Sequence, residues 1–149
     1  RNVGWCVGQG ETLLDSGAFR VTGSPDERVA SIVRWAVTMI ERWDPDVVSI
    51  EDPTPDRGNR KTDRLLARVC GNLEGVARSA GIQAVVWIHP MAVKATGFSK
   101  DRPQAAANLA GKDGVGPDEA DAIGGWLAAV GEIRAQRFAA RAAEVESYV

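Results

Sequence analysis

Three acidic residues lie where the sequence pattern would bring carboxylates together. Glu51 directly follows the apolar run 47–50, so it ends a predicted buried strand. Asp118 and Asp121 are three residues apart at the start of a predicted helix, and this spacing puts both carboxylates on one face. Hard oxygen ligands of this kind suit Mg²⁺ or Mn²⁺. A carboxylate cluster that holds two such ions is the usual device for phosphodiester hydrolysis.

The same acids also have a structural interpretation. Acidic residues at a helix start interact favourably with the helix dipole, which could account for Asp118 and Asp121 without a metal. An acid that ends a buried strand needs a partner, so Glu51 points more strongly to a site. Glu119 lies about a third of a turn away from its neighbours on the helix, and we expect it in solvent.

Hydrophobic spacing predicts the elements that position these acids. Strands are predicted over residues 3–7, 13–21, 47–51 and 84–88. Helices are predicted over residues 25–43, 62–80, 91–95 and 102–110, and from residue 117 into the C-terminal tail. Strands separated by helices indicate an α/β structure with parallel pairs, and the opening hairpin adds an antiparallel pair.

Length and composition predict one ordinary globular domain. The chain has 149 residues, of which 44% are apolar and 26% charged, and these fractions exclude disorder as the main state. Its net charge of −2 excludes a protein coated in basic charge, so nucleic-acid binding would need a local patch.

Membrane and export signals are not expected. No apolar run approaches the roughly 20 residues of a membrane span, and no basic-then-apolar leader follows Arg1. Cys6 and Cys70 are too few for a disulfide framework or a four-thiolate zinc site. We therefore expect a reducing, cytoplasmic setting.

Basic residues form two groups near the predicted acidic site. The first follows Glu51 and comprises Arg57, Arg60, Lys61, Arg64 and Arg68. The second follows the strand over 84–88 and comprises Lys94, Lys100 and Arg102. These side chains could hold phosphates beside a metal site, although the commoner role of such charge runs is a solvated face.

The remaining functional residue types are assigned to structure. His89 is the single histidine, and we expect it to be a structural residue at a strand end. The tryptophans lie mainly at apolar positions of predicted helices and strands, so we expect core packing rather than base stacking. They are Trp5, Trp35, Trp43, Trp87 and Trp126.

Four segments, in this order, resemble the RuvC-type Holliday-junction resolvases. Residues 1–7 (RNVGWCV) resemble the second half of the family's first-strand motif, and residues 47–51 (VVSIE) resemble its second acidic motif. Residues 81–100, with Pro90, Lys94 and Lys100, resemble its region of strand, proline and paired lysines. Residues 118–122 (DEADA) resemble its closing Asp-x-x-Asp helix.

The resemblance covers nearly the whole chain and implies a fold, an activity and partners. It implies an α/β, RNase-H-like three-layer fold with a mixed sheet and helices on both faces, as one domain over 1–149. It also implies a homodimer with two Mg²⁺ (or Mn²⁺) ions per active site, which makes paired nicks in four-way DNA. Such a protein would be cytoplasmic and associated with the nucleoid, or would act in the host cytoplasm if it is viral. Glu51, Asp118 and Asp121 would be catalytic and metal-binding residues, and the two basic groups would contact DNA.

The sequence departs from the family pattern at two places. The family carries an Asp on its first strand, before the segment that begins here at Arg1, so we expect the start of this strand to be missing. Asp15 belongs to an Asp-x-Gly sequence, but it follows the opening strand and is interpreted as a hairpin residue. Some relatives carry an aromatic wedge after the second acidic motif, where this chain offers only Pro53 and Pro55.

Other functions stay open. The chain could be a catalytically inactive module that binds junctions, although retention of all three carboxylates argues against this. It could also be a nuclease for other branched DNA, such as flaps and forks. The RuvC-like domain of CRISPR effectors is set aside, because its motifs are split by long insertions.

The predicted helix over 62–80 is the candidate dimer contact. Leu65, Val69 and Leu73 form one stripe along it, while Leu66 and Val76 flank the stripe and could face the sheet. A helix that is apolar over so wide an arc would cover two surfaces, of which the second could be its symmetry mate. The alternative is that one monomer core absorbs all five side chains.

Overall fold

The computed structural model describes residues 2–53, 60–95, 105, 108, 109, 111 and 114–146. Its strands are β1 (Asn2–Gln9), β2 (Thr12–Arg20), β3 (Val47–Glu51) and β4 (Ala84–Ile88). Its long helices are α1 (Pro25–Trp43), α2 (Arg60–Ser79) and α4 (Pro117–Glu146), and α3 (Pro90–Ala95) is short. The predicted elements are confirmed within two residues, except that most of the helix predicted over 102–110 lies outside the described residues.

The four strands form two pairs. β1 and β2 are antiparallel, from Asn2 opposite Arg20 to Gln9 opposite Thr12, and β3 and β4 are parallel. Both kinds of pairing expected in a mixed sheet are therefore present. In the described part of the chain, however, they form two separate ladders rather than one continuous sheet. The link between them is α4, which packs against all four strands.

A β-bulge in the hairpin adjusts which residues face α4. The register shifts between Val7 and Gly8, so Leu14 has no partner in β1 and its side chain is 49% exposed. The extra residue lets Leu13 and Ser16 face the same side, which a regular strand would not allow. Leu13 accordingly packs against the buried core beneath α4, and Ser16 contacts that helix directly.

Helix α1 covers the other face of the hairpin. It begins at a capping box in which Ser24 and Glu27 exchange side-chain and backbone hydrogen bonds. The Trp35 ring stacks on Phe19 at a centroid distance of 4.8 Å and lies 6.2 Å from the Trp5 ring. Helices therefore lie on both faces of this strand pair, as predicted.

Helix α4 lies directly on the backbone of β1 because two glycines leave room for it. A Cβ atom added at Gly4 would lie 1.8 Å from the carbonyl oxygen of Asp118. A Cβ added at Gly8 would lie 2.5 Å from the indole ring of Trp126. Alternation along a strand puts Gly4, Cys6 and Gly8 on one face, and the helix packs along this face.

The same helix closes over the second strand pair. Ile88 of β4, Val93 of α3 and Ala129 of α4 form one buried cluster. A Cβ added at Gly124 would lie 2.8 Å from a methyl carbon of Val93, so this glycine also permits a close approach. α4 therefore holds the carboxyl end of β4 at a defined place along its length.

The expected structural roles of the aromatic residues are partly confirmed. Trp126 is buried, whereas Trp87 is 38% exposed, so its assignment to the core is wrong for the single chain. The reason is the register of β4, in which Ile88 faces α4 and its neighbour Trp87 faces the opposite side. His89 accepts a hydrogen bond at Nδ1 from the Met91 backbone N–H, which is the structural role expected for it.

Among the described residues, no helix combines the length and apolar character that crossing a membrane requires.

Replacing Gly4 by Ala tests the close approach of α4. The added methyl group must push the helix backbone away, so we expect a loss of about 1–3 kcal/mol or more in the free energy of unfolding. The measurement is urea denaturation followed by circular dichroism.

The matched control is Gly71→Ala in α2, where an added Cβ meets nothing within 4 Å. This change should stabilise the protein by roughly 0.5–1 kcal/mol, because alanine favours a helix interior. Equal effects of the two substitutions would contradict the packing account.

Candidate active site

Asp118 and Asp121 lie in the first two turns of α4, as predicted. The Nδ2 atom of Asn2, at the start of β1, donates a hydrogen bond of 3.1 Å to Oδ2 of Asp118. The Asp118 side chain is partly buried against the strand, and Asp121 is exposed. The strand start thus orients one carboxylate and leaves the other open to solvent.

Glu51 ends β3 on the side that faces α4. It stands opposite Ile88 in the parallel ladder, so the two side chains share one face. Because Ile88 packs with Ala129 of α4, this is the α4 face. The strand end is held by a hydrogen bond of 2.9 Å from the Asp52 backbone N–H to the Ile88 carbonyl.

Topology therefore directs the predicted acids to the same side of the β3–β4 pair. Gly124 lies one helical turn after Asp121 and contacts Val93, which packs with Ile88 beside the Glu51 position. Within the described ranges, however, no three His, Cys, Asp or Glu side chains are close enough together to hold a metal ion. The structure brings the elements together without assembling a three-ligand cage.

The donor set still fits one class of metal. Mg²⁺ commonly keeps several waters and binds through one or two carboxylates plus phosphate oxygens of the substrate, so a cage of three side chains is not required. Asp118, Asp121 and Glu51 supply only hard oxygen donors, and two of them are exposed. This chemistry suits Mg²⁺ or Mn²⁺ and does not suit a soft thiophilic ion.

Glu119 is buried, so the expectation that it is solvated is wrong. Its side chain is 8% exposed, and Oε1 accepts a hydrogen bond of 2.6 Å from the hydroxyl of Ser16, itself 7% exposed. Glu119 shares a helix face with Ile123 and Trp126, at i+4 and i+7, and this face packs on the hairpin. A buried carboxylate with a hydroxyl donor ties the first turn of α4 to β2.

Cys6 makes a second tie between the hairpin and α4. Its thiol donates a hydrogen bond of 3.2 Å to the Ala122 carbonyl, and it stands opposite Ser16 in the ladder. Burial, and secondarily the negative charge of Glu119, raise the pKa of Cys6 to about 12. The sulfur therefore stays protonated at neutral pH and keeps its hydrogen to donate.

Cys70 plays a similar part beneath Glu51. This α2 residue is buried, and its thiol lies 3.7 Å from the Glu51 carbonyl oxygen in donor geometry. Burial, followed by the charges of Asp52 and Glu51, raises the pKa of Cys70. Both cysteines are free thiols.

The first basic group lies at the start of α2. Arg60, Lys61 and Arg64 are exposed on its first turns. Arg68 is turned towards α1, where its guanidinium pairs with Asp26. Three cations of the group are therefore exposed on the part of α2 that precedes Cys70, the residue whose thiol lies at the Glu51 carbonyl.

The other basic residues predicted to contact DNA lie outside the part of the chain that the structure describes. Arg57, Lys100 and Arg102 lie outside the described residues. Lys94 belongs to α3, and its side chain also lies outside the described part. These four residues stay predictions as DNA contacts.

Two solved structures of a bacterial protein share this fold. The first is Thermus thermophilus RuvC in complex with a Holliday junction substrate, with a TM-score of 0.68 and 20% sequence identity. The match covers 84% of this chain and 82% of that one. A second Thermus thermophilus RuvC structure has a TM-score of 0.65 and 21% identity, and covers 85% of this chain and 84% of that one.

These matches establish the fold. The chain is folded like RuvC, which confirms the structural side of the resemblance seen in the motifs and supports the RNase-H-like fold expected from them. No family model matches the sequence, and no curated protein matches it.

Sequence reasoning missed three residues that position the acids. Asn2 lies within the first-strand segment and Ser16 lies in no motif, but the role of each depends on a contact with a helix more than a hundred residues away. For Glu119 a signal was present in the i, i+4, i+7 spacing with Ile123 and Trp126, which places it on the buried face. The sequence interpretation gave more weight to the charge of Glu119 than to this spacing, and therefore expected the side chain in solvent.

Removing the hydroxyl of Ser16 tests the tie to Glu119. Ser16→Ala leaves a buried carboxylate without this donor, so we expect a loss of about 1–3 kcal/mol in the free energy of unfolding. In a double-mutant cycle with Glu119→Gln, the two changes should not be additive, with a coupling energy of at least about 0.5 kcal/mol.

The control for this cycle is Thr22→Ala, which removes an exposed hydroxyl just after β2. It should change the stability by no more than about 0.5 kcal/mol. Additive effects of the Ser16 and Glu119 substitutions in urea denaturation would show that their contact contributes nothing.

Proposed function

We propose that the protein is a divalent-metal-dependent endonuclease that resolves four-way (Holliday) DNA junctions. The observation that carries this proposal is the fold shared with junction-bound RuvC over 84% of the chain. It is supported by the two carboxylates of α4 and by Glu51, which lie at the ends of the elements that the family's motifs predict. The substrate follows from the partner of the similar structure, whose bound molecule is a Holliday junction.

In this proposal, Glu51, Asp118 and Asp121 hold two Mg²⁺ or Mn²⁺ ions per active site. When bound, such ions lower the pKa of a water nucleophile and stabilise charge on the phosphate oxygens. Asn2 keeps Asp118 in a fixed orientation through its amide N–H. The Cys70 thiol donates to the backbone carbonyl of Glu51. This contact helps to fix the strand end that carries the Glu51 carboxylate.

The basic residues at the start of α2 bind the DNA backbone. Arg60, Lys61 and Arg64 are exposed on α2, six to ten residues before Cys70, whose thiol lies at the Glu51 carbonyl. This is about 9–15 Å along the helix, so they can hold backbone phosphates that flank the one at the proposed catalytic acids. Such contacts position a duplex and add affinity without reading its sequence. The net charge of −2 makes binding depend on local cations of this kind.

We further propose that two copies act together, because paired cuts at a junction need two sites related by a two-fold axis. The buried residues of α2 are Cys70 and Ala77. Its stripe of Leu65, Val69 and Leu73 is only partly buried, and Leu66 is 37% exposed, contrary to the expectation that it faces the sheet. One chain leaves this apolar helix face incompletely covered, and a symmetry mate would cover it.

A second candidate function is a junction-binding module without nuclease activity. It is favoured by one observation, that the described residues contain no group of three metal-binding side chains. Cleavage of a four-way junction in Mg²⁺ but not in Ca²⁺ would decide for the enzyme. Flap and fork substrates, assayed in parallel, would show whether the proposed selectivity for four-way DNA holds.

Substitution of the acids tests the chemistry. Glu51→Gln or Asp121→Asn in the full protein should lower nicking of a four-way junction by at least about a hundredfold, since each removes a charged metal ligand. Junction affinity measured in EDTA should stay within about twofold, because phosphate contacts come from basic side chains. Variants that cut at wild-type rates would refute the ligand assignment.

Substitution of two cations tests the DNA surface. The double change Arg60→Ala and Lys61→Ala should flatten the dependence of log affinity on log salt by roughly one to two units. Fluorescence anisotropy over a salt series measures this slope. Arg34→Ala, an exposed change on α1, is the control and should leave the slope as it is. An unchanged slope in the double variant would mean that this segment is a solvated face that does not contact DNA.

Substitution of Val69 by Glu tests the dimer. A charge in the α2 stripe should give a folded monomer that binds DNA but cannot make paired cuts, as shown by circular dichroism and sedimentation together. Val37→Glu is the control, because Val37 is an apolar residue of α1 that is already 38% exposed. Outright unfolding of the Val69 variant would mean that this side chain belongs to the monomer core.

A further inference from the structure

The stretch of α4 after Ile133 adds no described buried side chain to the fold and no residue to the proposed site. From residue 134 to residue 141 every side chain is exposed, so the helix leaves the body of the protein after Ile133. Phe138 is 78% exposed, the largest value among the exposed hydrophobic residues described. Eight successive exposed residues leave this stretch of helix accessible to a partner.

The large side chains of this stretch of helix lie on one face, and smaller or uncharged side chains occupy the other. Arg134, Arg137, Phe138 and Arg141 occupy positions i, i+3, i+4 and i+7, which form a single stripe, called here the arginine stripe. The positions between them are alanines and one glutamine. No acidic residue occurs from 133 to 143, between two flanking glutamates.

Arg134 fixes where the stripe begins. Its guanidinium pairs with Glu11 at the turn of the β1–β2 hairpin, at the end of β1 that is remote from Asn2 and Asp118. Within the described part of the chain, Arg137 and Arg141 have no ion pair. The hairpin thus supports the helix at one point, and the next two arginines extend beyond it.

We infer that the arginine stripe binds the phosphate backbone of a DNA duplex arm that extends away from the candidate active site. Charge complementarity selects this partner, because Arg137 and Arg141 lie on one exposed face and match a polyanion, while Arg134 is engaged by Glu11. Phe138 between them packs on the sugar edge of the same strand. The inference rests on the proposed function, which supplies DNA as the partner.

Helix geometry sets how far along the DNA this contact lies. Arg137 and Arg141 are 19 and 23 residues after Asp118, which corresponds to about 28 and 34 Å along the helix. For a duplex arm that runs along α4, as the inference requires, this distance is about 8–10 base pairs from the cleaved phosphate. The stripe therefore contacts a junction arm well outside the crossover.

The test is the double change Arg137→Gln and Arg141→Gln in the full protein. The probe is a fluorescent four-way junction with arms of about 20 base pairs, in EDTA, over a salt series. Two lost phosphate contacts should flatten the salt slope by about 1.8 units and weaken binding on the order of 50-fold at 0.1 M salt. The control, Arg34→Gln with Arg42→Gln on α1, removes the same charge and should reproduce the wild-type slope.

Arm length makes the test specific to position. On a junction whose hairpin-closed arms are about six base pairs long, the stripe has no DNA to reach, so the variant and the wild type should bind alike. An equal loss on short and long arms overturns the inference, as does an unchanged slope on long arms. Phe138→Ser is measured by sedimentation, and a change of oligomeric state with an unchanged salt slope would show that the surface binds protein instead.

A linear duplex of the same length separates this inference from the proposed function. If the wild type shows no preference for the junction and no cleavage in Mg²⁺, the proposed function fails. The slope difference between the wild type and the Arg137/Arg141 variant on the duplex still measures the phosphate contacts of the arginine stripe. The proposed function and the further inference are therefore tested separately.

Discussion

The close packing of α4 on the first strand is the contact on which the rest of the structure depends. Gly4 and Gly8 remove the side chains that would otherwise hold the helix away from the strand backbone. Cys6 between them donates its thiol to a helix carbonyl, and its pKa of about 12 keeps that hydrogen in place. A helix held this closely has little freedom to rotate, so the directions of Asp118 and Asp121 are set by the strand.

Polar contacts near the start of α4 refine this position. Asn2 orients the Asp118 carboxylate, and Ser16 holds Glu119 inside the interface. Because Glu119 points into the hairpin, Asp121, two positions further on, points nearly the opposite way and is exposed. A buried acid thus helps to keep a neighbouring acid in solvent, where a metal ion and a phosphate could reach it.

The same helix connects the two strand pairs and therefore the two parts of the site. Val93 and Ile88 pack against α4 one to two turns after Asp121, and Glu51 stands opposite Ile88 in the ladder. The acids come from elements far apart in sequence, yet a single helix spans both. An open arrangement of this kind suits a phosphodiester substrate that supplies oxygen ligands of its own.

The sequence by itself determined the order and type of the elements, because hydrophobic spacing, the Ser24–Glu27 capping box and the apolar runs of β3 and β4 are local signals. It also placed Glu51 at a strand end and Asp118 and Asp121 in the first turns of a helix. It predicted one mixed sheet, whereas the described strands form two ladders joined by a helix. Which strands pair depends on contacts across the chain, and no local pattern encodes them.

Only the tertiary structure decided the environment of each side chain. Glu119 is buried because α4 presses its face onto the hairpin, and a charged residue type gives no warning of that. Trp87 is exposed because the register of β4 turns it away from α4, although its aromatic side chain and its place in an apolar run suggested a core residue. Local free energies select helix or strand, but burial and partners arise from packing between residues distant in sequence, and that packing fixes where each carboxylate points.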